Sequence, residues 1–416
     1  MSAEEKLLRI SQGWLGEGPV DLIQLCLFDW AACALAGKDE PVAQILARQS
    51  GIEGNASVVG GGKTSAADAA LINGSTGHAL DYDDTHFDHL GHTSAVIMPA
   101  VLALAEDQSI TSTAQILEAA LVGSEAAVRI GLWLGRDHYQ VGFHQTATSG
   151  AIGAVVAGAR LLQLNETQTR HAIGLVATGA SGLKGQFGTM GKPLNAGLAA
   201  RSGVESTLWA QAGLTADANG VTQFGATHHG QSNECAWSED APWKIARISH
   251  KFHACCHGLH AMLEALREIN GPVVELNVQT HPRWMTVCNN PSPATGLECK
   301  FSYAMTAAMT VSGVDTAVIA SFSDSTATDA KLIAVRDTVK VTPDETLSEM
   351  QSRVDVTYAD ETTATFFHDL SAPLDMKTRE TRVRAKADAL IGGQAAALWD
   401  AVQSEDISPI MDVLRG

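Results

Sequence analysis

The feature that most constrains the fold is a succession of apolar, alanine-rich segments with helical spacing over the first two thirds of the chain. Hydrophobic residues make up 45% of the sequence and aromatic residues only 5%, so the packed elements must approach one another through small side chains. Segment 20–36 carries only two charges, Asp21 at its start and Asp29 in its interior, and Gly37 stands where a helix would end, so we expect it to be buried on all sides. Further helices are predicted at 64–80, 94–106, 113–134, 146–164, 166–178 and 196–213.

The pattern changes after about residue 266. Val274, Leu276 and Val278 alternate with polar residues, and this period of two is typical of a half-buried strand. The sequence therefore predicts a mainly α protein with a large all-helical domain, 1–265 completed by 395–416, and a smaller α+β domain, 266–394. Strands are predicted at 272–280, 339–341, 353–358 and 362–367, and helices at 303–311 and 329–336.

Charge and cysteine content exclude several classes of partner. The formal net charge of −18 argues against nucleic acid and against an anionic membrane surface. No uninterrupted apolar run of about 18 residues occurs, so no membrane span is expected. The seven cysteines lack a regular framework, and the N-terminal residues are charged, which predicts a reduced, cytoplasmic protein without a signal peptide.

A first polar cluster interrupts the apolar pattern near residue 80. His78, Asp81, Thr85 and His86 lie among apolar neighbours, and His89 and His92 follow. If 67–82 is helical, His78, Asp81 and Thr85 share one helix face. Burying so many polar groups costs several kcal/mol unless they satisfy one another or a ligand. The cluster therefore predicts a site, although a helix end whose charges cap and face solvent is the alternative.

Two later segments carry candidate binding groups. His144 precedes a hydroxyl-rich helix start, where Thr146, Thr148 and free N–H groups could bind a carboxylate. The alternative is that a threonine caps the helix and His144 is a loop residue. A glycine-rich loop then brings Lys192 to the start of another helix, with Lys184 as a second candidate. A solvated surface lysine is the alternative there.

A second histidine cluster occupies 250–260. On a helix, His253, His257 and His260 would share a face, and histidine titrates near neutrality as proton transfer requires. His253, Cys256 and His257 could hold a metal, but their spacing matches no known zinc motif, so a metal-free acid–base pocket is favoured. The glycines at 60–62 before Lys63 lack the spacing and strand-to-helix context of a phosphate-binding loop.

Together these segments resemble the MmgE/PrpD family, whose members include 2-methylcitrate dehydratase, cis-aconitate decarboxylase and iminodisuccinate epimerase. The resemblance covers essentially the whole chain, and the motifs keep the family order. They are Asn73-Gly74…His78-Ala79-Leu80-Asp81-Tyr82-Asp83-Asp84-Thr85, Gly91-His92-Thr93-Ser94…Pro99-Ala100, Gly142-Phe143-His144-Gln145-Thr146-Ala147-Thr148, Ala180-Ser181-Gly182-Leu183, Gly188-Thr189-Met190-Gly191-Lys192-Pro193-Leu194 and Cys256…His260-Ala261.

The resemblance implies a helical domain and a smaller α+β lid domain with the active site between them. It also implies a homodimer that acts on a small di- or tricarboxylate without metal or organic cofactor. Matched residue by residue, it implies catalytic roles for Asp81, His92, His144, Lys192 and His260. Thr85 matches the first motif as a substrate-binding residue. The other predicted substrate-binding residues are Lys192, His78, Thr146 and His257.

The expected chemistry is proton transfer beside a carboxylate. Lys192 would hold the carboxylate, and His92 or His144 would act as base while other groups act as acid. Asp81 would orient an imidazole, with His92 a candidate, and His260 would join on closure. A 2-methylcitrate dehydratase-like hydro-lyase is the leading expectation. A cis-aconitate-type decarboxylase or an epimerase of a substituted succinate follows closely, and a metal-dependent hydrolase or a non-catalytic dicarboxylate binder is more remote.

Three departures from the family pattern bear on the substrate. Thr93 follows His92 where proline is usual, Asn195 stands where many members have histidine, and His253 occupies a place where tyrosine is common. They leave the expected fold unchanged.

Overall fold

The computed structural model describes residues 1–51, 53–239 and 243–416. These residues form two compact units, one of Met1–His250 with Ile391–Gly416 and the other of Lys251–Leu390. The described chain is mostly helical, with a small mixed sheet confined to its C-terminal part, and this confirms the mainly α prediction.

The helices of the described residues are, in chain order, α1 Ala3–Ser11, α2 Val20–Gly37, α3 Pro41–Gln49, α4 Ala66–Gly77, α5 Ser94–Asp107, α6 Thr113–Gln140, α7 Gln145–Leu161, α8 Glu166–Gly179, α9 Gly191–Gln211, α10 Gly220–Thr227, α11 His260–Leu266, α12 Trp284–Val287, α13 Gly296–Cys299, α14 Tyr303–Val311, α15 Asp324–Ala327, α16 Ala330–Arg336, α17 Met376–Ile391, α18 Gln394–Val402 and α19 Ser408–Arg415. The strands are β1 Ala56–Ser57, β2 Lys63–Thr64, β3 Val273–Thr280, β4 Val339–Pro343, β5 Gln351–Tyr358 and β6 Thr363–Asp369.

Glycine contacts bring the central helices of the first unit together. A methyl group on Gly74 of α4 would lie 2.9 Å from the Cα atom of Gly197 in α9, so the two backbones touch at this point. Gly153 of α7 likewise packs against Ala127 of α6. These contacts bear out the expectation that small side chains permit close helix packing.

Helix α2 is long and apolar enough to cross a membrane by length and composition, and it is the only such helix among the described residues. In the structure 78% of that stretch is buried within the protein, including Asp29, which is 1% exposed. The helix therefore forms part of the core of the first unit, as its apolar faces predicted.

Two local predictions in the first unit can be checked directly. Helix α4 ends at Gly77 with His78 as its C-cap, and Asp81 has a positive φ of 51°. The prediction of a helix through residue 82 that carries His78, Asp81 and Thr85 on one face is therefore wrong, because the backbone leaves the helix first. Gly60, Gly61 and Gly62, all with positive φ, form the turn between the antiparallel strands β1 and β2, so the glycines lead into a strand and not into a helix as those of a phosphate loop do.

The second unit is built on the four-stranded sheet β4-β3-β5-β6. Strands β3 and β4 are parallel, whereas β5 pairs antiparallel with both β3 and β6. A short 3-10 turn, His257–Leu259, leads into α11, which begins at His260. His253 precedes this turn in an irregular segment, so the predicted single helix face for His253, His257 and His260 is wrong.

Candidate active site

The centre of the candidate site is the buried carboxylate of Asp83. Its Oδ1 atom lies 2.9 Å from Nδ1 of His78, and its Oδ2 atom lies 3.1 Å from Nδ1 of His92. Burial opposes ionisation of Asp83, but the charges and hydrogen bonds of the two histidines outweigh it and lower its pKa well below the usual range. Asp83 is therefore an ionised acceptor shared by two imidazoles.

This shared carboxylate fixes the proton positions on both rings. An ionised carboxylate only accepts hydrogen bonds, so Nδ1 of His78 and Nδ1 of His92 must each carry a proton. Burial lowers the pKa of His78, although the charge of Asp83 acts in the opposite direction, so the surroundings of this ring favour its neutral form. The Nε2 atom of a neutral ring held in this way bears a lone pair.

Asp81 and Lys192 form the more exposed end of the site. The Nζ atom of Lys192 lies 2.6 Å from Oδ1 of Asp81, which is also 3.5 Å from Nε2 of His92. The Asp81 side chain is 44% exposed, and those of Lys192 and His92 are 16% and 12% exposed. His78, whose side chain has no exposed surface, lies beneath His92, with ring centroids 4.6 Å apart.

His144 brings a third imidazole to the same place. It is the N-cap residue of α7, and its ring stacks on His78 with centroids 6.1 Å apart. Burial and the charges of His78, Lys192 and His92 hold the pKa of His144 well below its ordinary value. Thr146 follows, and its buried hydroxyl accepts a hydrogen bond from the backbone N–H of His92 at 3.1 Å.

Three other residues of the first polar cluster, Thr85, His86 and His89, contact groups outside the Asp83 site. Thr85 is half-buried, and its backbone exchanges hydrogen bonds of 2.8 and 2.7 Å with Ser249. His86 bonds the carbonyl of Lys244, and Nε2 of His89 lies 2.9 Å from the hydroxyl of Ser149. His86 and His89 thus brace the loop after Asp83.

His253, His257 and His260 of the second histidine cluster lie in the second unit, whereas His250 ends the main segment of the first. His253 is bonded at both ring nitrogens, with Nδ1 2.6 Å from the hydroxyl of Thr316 and Nε2 3.1 Å from Glu264. His260 is buried, and its ring centroid is 4.4 Å from that of His257 and 5.1 Å from that of His253. Burial, together with the charges of His257 and His253, holds the pKa of His260 well below its ordinary value.

Two groups of side chains in the described residues have the proximity of metal ligands: His78 with Asp81, Asp83 and His92, and Cys26 with Asp84 and His250. In the first group the Nδ1 atoms of both histidines are bonded to Asp83, and Asp81 is paired with the ammonium of Lys192. A cation would have to displace these contacts. The first group therefore suits acid–base chemistry better than metal binding.

Asp83 and Asn195 are functional candidates whose roles were not predicted from the sequence. Asp83 was missed because a helix through residue 82 would place Asp81 rather than Asp83 beside the histidines. Its signal was the run from Asp81 to Asp84 that includes the buried Tyr82, since consecutive carboxylates next to an apolar ring have to find partners. The signal for Asn195 was its departure from the family pattern.

The comparisons with known proteins agree with this architecture. Residues 19–230 match the MmgE/PrpD N-terminal domain, and residues 253–397 match the MmgE/PrpD C-terminal domain. The cis-aconitate decarboxylase-like protein oryM of Aspergillus oryzae is 31% identical over 278 residues, which are 60% of this chain and 58% of that protein. A cis-aconitate decarboxylase of Aspergillus terreus is 31% identical over 273 residues, covering 60% of this chain and 56% of the relative.

The human cis-aconitate decarboxylase is 31% identical over 151 residues, which are 35% of this chain and 31% of that protein. The matches thus span less than two thirds of the length of these relatives. The two domain matches, however, extend over most of this chain and follow each other in order. The chain belongs to the MmgE/PrpD family.

Proposed function

We propose that the protein is a lyase that works without a metal or organic cofactor on a small tricarboxylate, with a cis-aconitate-type decarboxylation as the leading reaction. The observation that carries the proposal is the pairing of His92 with the buried Asp83 carboxylate beside the ammonium of Lys192. The names of the relatives favour decarboxylation over the 2-methylcitrate-type dehydration that the sequence placed first.

The reaction sets three requirements for the site. Decarboxylation breaks a C–C bond, releases carbon dioxide and leaves the bonding electron pair on carbon, where a proton must replace the lost group. Negative charge develops beside a remaining carboxylate and needs a cation or hydrogen-bond donor aimed at it. A group that titrates near neutrality has to move the proton. Lys192, His144 and His92 offer these functions within one cluster.

We assign proton movement to Nε2 of His92. Its Nδ1–H is held by Asp83, so Nε2 is the atom that can exchange a proton, and it lies at the partly exposed end of the cluster. Asp83 stabilises the protonated ring and holds its orientation. The sequence left the choice between His92 and His144 open and gave the orienting role to Asp81; we propose that Asp83 has that role.

We assign substrate carboxylate binding to Lys192. In this structure the Lys192 ammonium forms an ion pair with Asp81. Because the Asp81 side chain is exposed, it can move away and let a substrate carboxylate bind the ammonium in its place. Thr85 remains a proposed substrate contact. The buried His78 and Thr146 hold Asp83 and the His92 backbone, so we propose that they position the reacting groups. In the second unit, His260 remains a proposed catalytic residue and His257 a proposed substrate-binding residue.

The proposal is tested with chelator-treated protein in deuterated water. The acids to be incubated are cis-aconitate, citrate, 2-methylcitrate, a substituted succinate and iminodisuccinate, and proton NMR follows consumption, products and deuterium incorporation. We expect cis-aconitate to lose carbon dioxide and its product to carry deuterium at the new C–H bond. Hydration or dehydration without carbon dioxide would move the assignment to the hydro-lyase, and an inverted centre would move it to the epimerase.

Two outcomes would contradict the whole lyase proposal. Activity that is absent after chelation and restored by an added divalent metal would favour the metal-dependent hydrolase. Thermal stabilisation by an acid that is never consumed would favour a non-catalytic binder.

A further inference from the structure

Asn195 lies on α9 one turn beyond Lys192 and is 7% exposed. Its side-chain nitrogen Nδ2 is 3.2 Å from the backbone carbonyl of Leu183 and 3.2 Å from Nδ1 of His144. A carbonyl oxygen only accepts hydrogen bonds, so the NH2 group, and not the oxygen, must face Leu183. The backbone of Leu183 thereby settles the orientation of the amide.

The orientation of the amide determines the state of His144. The NH2 group has two hydrogens, one for Leu183 and one for His144, so Nδ1 of His144 must be an acceptor. A neutral imidazole that accepts at Nδ1 carries its proton on Nε2. We propose that Asn195 is a positioning residue that holds His144 in the Nε2–H tautomer, so that His144 serves as a fixed hydrogen-bond donor and not as the base.

The surroundings of His144 support a fixed ring. Its backbone N–H donates to the carbonyl of Gly182 at 2.9 Å, and its carbonyl accepts from the N–H of Ala147 at 2.9 Å. Phe187 contacts the ring edge-on, with centroids 4.9 Å apart. The charged or titratable groups that face it are His78, Lys192, His92 and Asp81; burial and the first three lower the pKa of His144 well below its ordinary value, against the smaller opposite effect of Asp81.

The two histidines of the site are then complementary. Asp83 holds His92 with its proton on Nδ1, whereas Asn195 holds His144 with its proton on Nε2. His92 is left to exchange a proton at Nε2, whereas His144 presents a fixed donor at Nε2. A neutral donor stabilises charge that develops on a substrate oxygen without releasing a proton. The expected effect on turnover rests on the proposed function, whereas the tautomer of His144 follows from the hydrogen bonds alone.

The test is nitrogen-15 NMR of protein labelled at histidine, with His144 and His92 assigned by the missing signals of His144→Gln and His92→Gln. We expect the wild-type His144 to show a protonated Nε2 and an unprotonated Nδ1. In Asn195→Leu, which removes the donor while keeping similar volume, His144 should become a mixture of tautomers. The Nδ1–H pattern of His92 should stay unchanged and serves as the internal control.

The kinetic arm uses the acid that the wild-type protein consumes. We expect kcat of Asn195→Leu to fall on the order of 10-fold or more with KM changed much less, because the donor acts on developing charge. Asn195→Gln, which retains an amide, should recover part of the loss and part of the tautomer preference. Thermal melting checks that both variants fold.

A wild-type His144 with its proton on Nδ1 would overturn the inference, as would a tautomer that is unchanged in Asn195→Leu. If no acid is consumed and the expected tautomers are still observed, the proposed function fails while the role of Asn195 stands. A folded Asn195→Leu variant with the expected tautomer mixture and wild-type kcat would remove the consequence for turnover.

Discussion

The two histidine clusters of this protein use their buried carboxylates in opposite ways. In the Asp83 cluster, composed of His78, Asp83 and His92, the carboxylate accepts from two imidazoles. In the Glu264 cluster, composed of His253, Glu264 and Arg382, the carboxylate accepts from one imidazole and is also paired with the guanidinium of Arg382.

The difference shows which histidines are available for chemistry. Both nitrogens of His253 are occupied, and the hydrogen bonds and charges of His253 and Arg382 hold the pKa of Glu264 below its ordinary value against the effect of burial. The Glu264 cluster therefore braces the second unit. In the Asp83 cluster, Nε2 of His92 is not used by Asp83 and faces the more exposed end of the site, where Asp81 and Lys192 lie. Asp83 therefore orients both imidazoles and leaves Nε2 of His92 as the atom proposed to exchange a proton.

The largest expected effect is that of removing the cation beside the Asp83 cluster. Lys192→Ala should lower kcat by roughly 10²- to 10³-fold, the usual cost of losing a donor aimed at developing charge. The matched control is Lys184→Ala, because Lys184 donates to the Tyr139 carbonyl at 3.0 Å and should affect turnover little. Steady-state kinetics on the consumed acid measures both. Near-normal turnover of Lys192→Ala would sink the proposed mechanism.

The next effect separates the two carboxylates. Asp83→Asn keeps the shape but removes the charge that holds two Nδ1–H groups, so kcat should fall on the order of 10²-fold. Glu264→Gln breaks a buried ion pair and should instead lower the free energy of unfolding by about 3 kcal/mol. Denaturant unfolding and kinetics on both variants measure the contrast. Equal losses of turnover in the two variants would erase the distinction between the clusters.

A smaller effect is expected at His260. Its Nε2 atom has no hydrogen-bond partner among the described residues, whereas His253 is bonded at both nitrogens. His260→Gln should therefore lower kcat by about 10-fold or more, as expected for an acid–base or donor group. His253→Gln should chiefly lower the melting temperature. The reverse pattern would assign the chemistry of the second unit to His253.

The smallest effect concerns Asp84, the neighbour of Asp83. Burial and the charge of Asp29 raise the pKa of Asp84 to about 7. Its folded pKa lies above the unfolded value, so its contribution to stability is present below about pH 4 and is lost as the pH rises to about 7. Asp84→Asn should flatten that loss, with Asp88→Asn, at an exposed aspartate, as control. Melting temperatures at pH 5, 6.5 and 8 measure this, and parallel curves for wild type and Asp84→Asn would contradict it.

The fold was largely predictable because apolar periodicity determines where helices lie. Segment 303–311 was predicted with the observed bounds of α14, and the predicted strands overlap β3, β4, β5 and β6. The end of α4 was missed because the backbone leaves the helix after Gly77 and Asp81 then adopts a positive φ, and no pattern of apolar residues reveals either change. Apolar periodicity indicates which face of a helix is buried. It does not indicate where the backbone turns after the helix and so places a later side chain beside an earlier one.

The candidate site was predictable by residue type and only partly by contact. His78, His92, His144 and Lys192 were selected, and the structure brings them together. The partners of the rings were not predictable, because hydrogen bonds such as that of Asp83 with His92 depend on the loop conformation after α4. The orientation of the Asn195 amide follows from its contact with the Leu183 carbonyl, and the sequence does not show that contact.

The contact between Gly74 and Gly197 has a consequence for engineering. Helix α4 ends at the residue before His78, and α9 begins at the residue before Lys192, so this backbone contact sets how far apart the two helices hold these residues of the candidate site. A methyl group added at Gly74 would lie too close to the Gly197 backbone, so one of the two helices would have to shift while every side chain of the candidate site kept its identity. Under the proposed function, this glycine pair is a position at which the spacing of the site can be varied for bulkier acids.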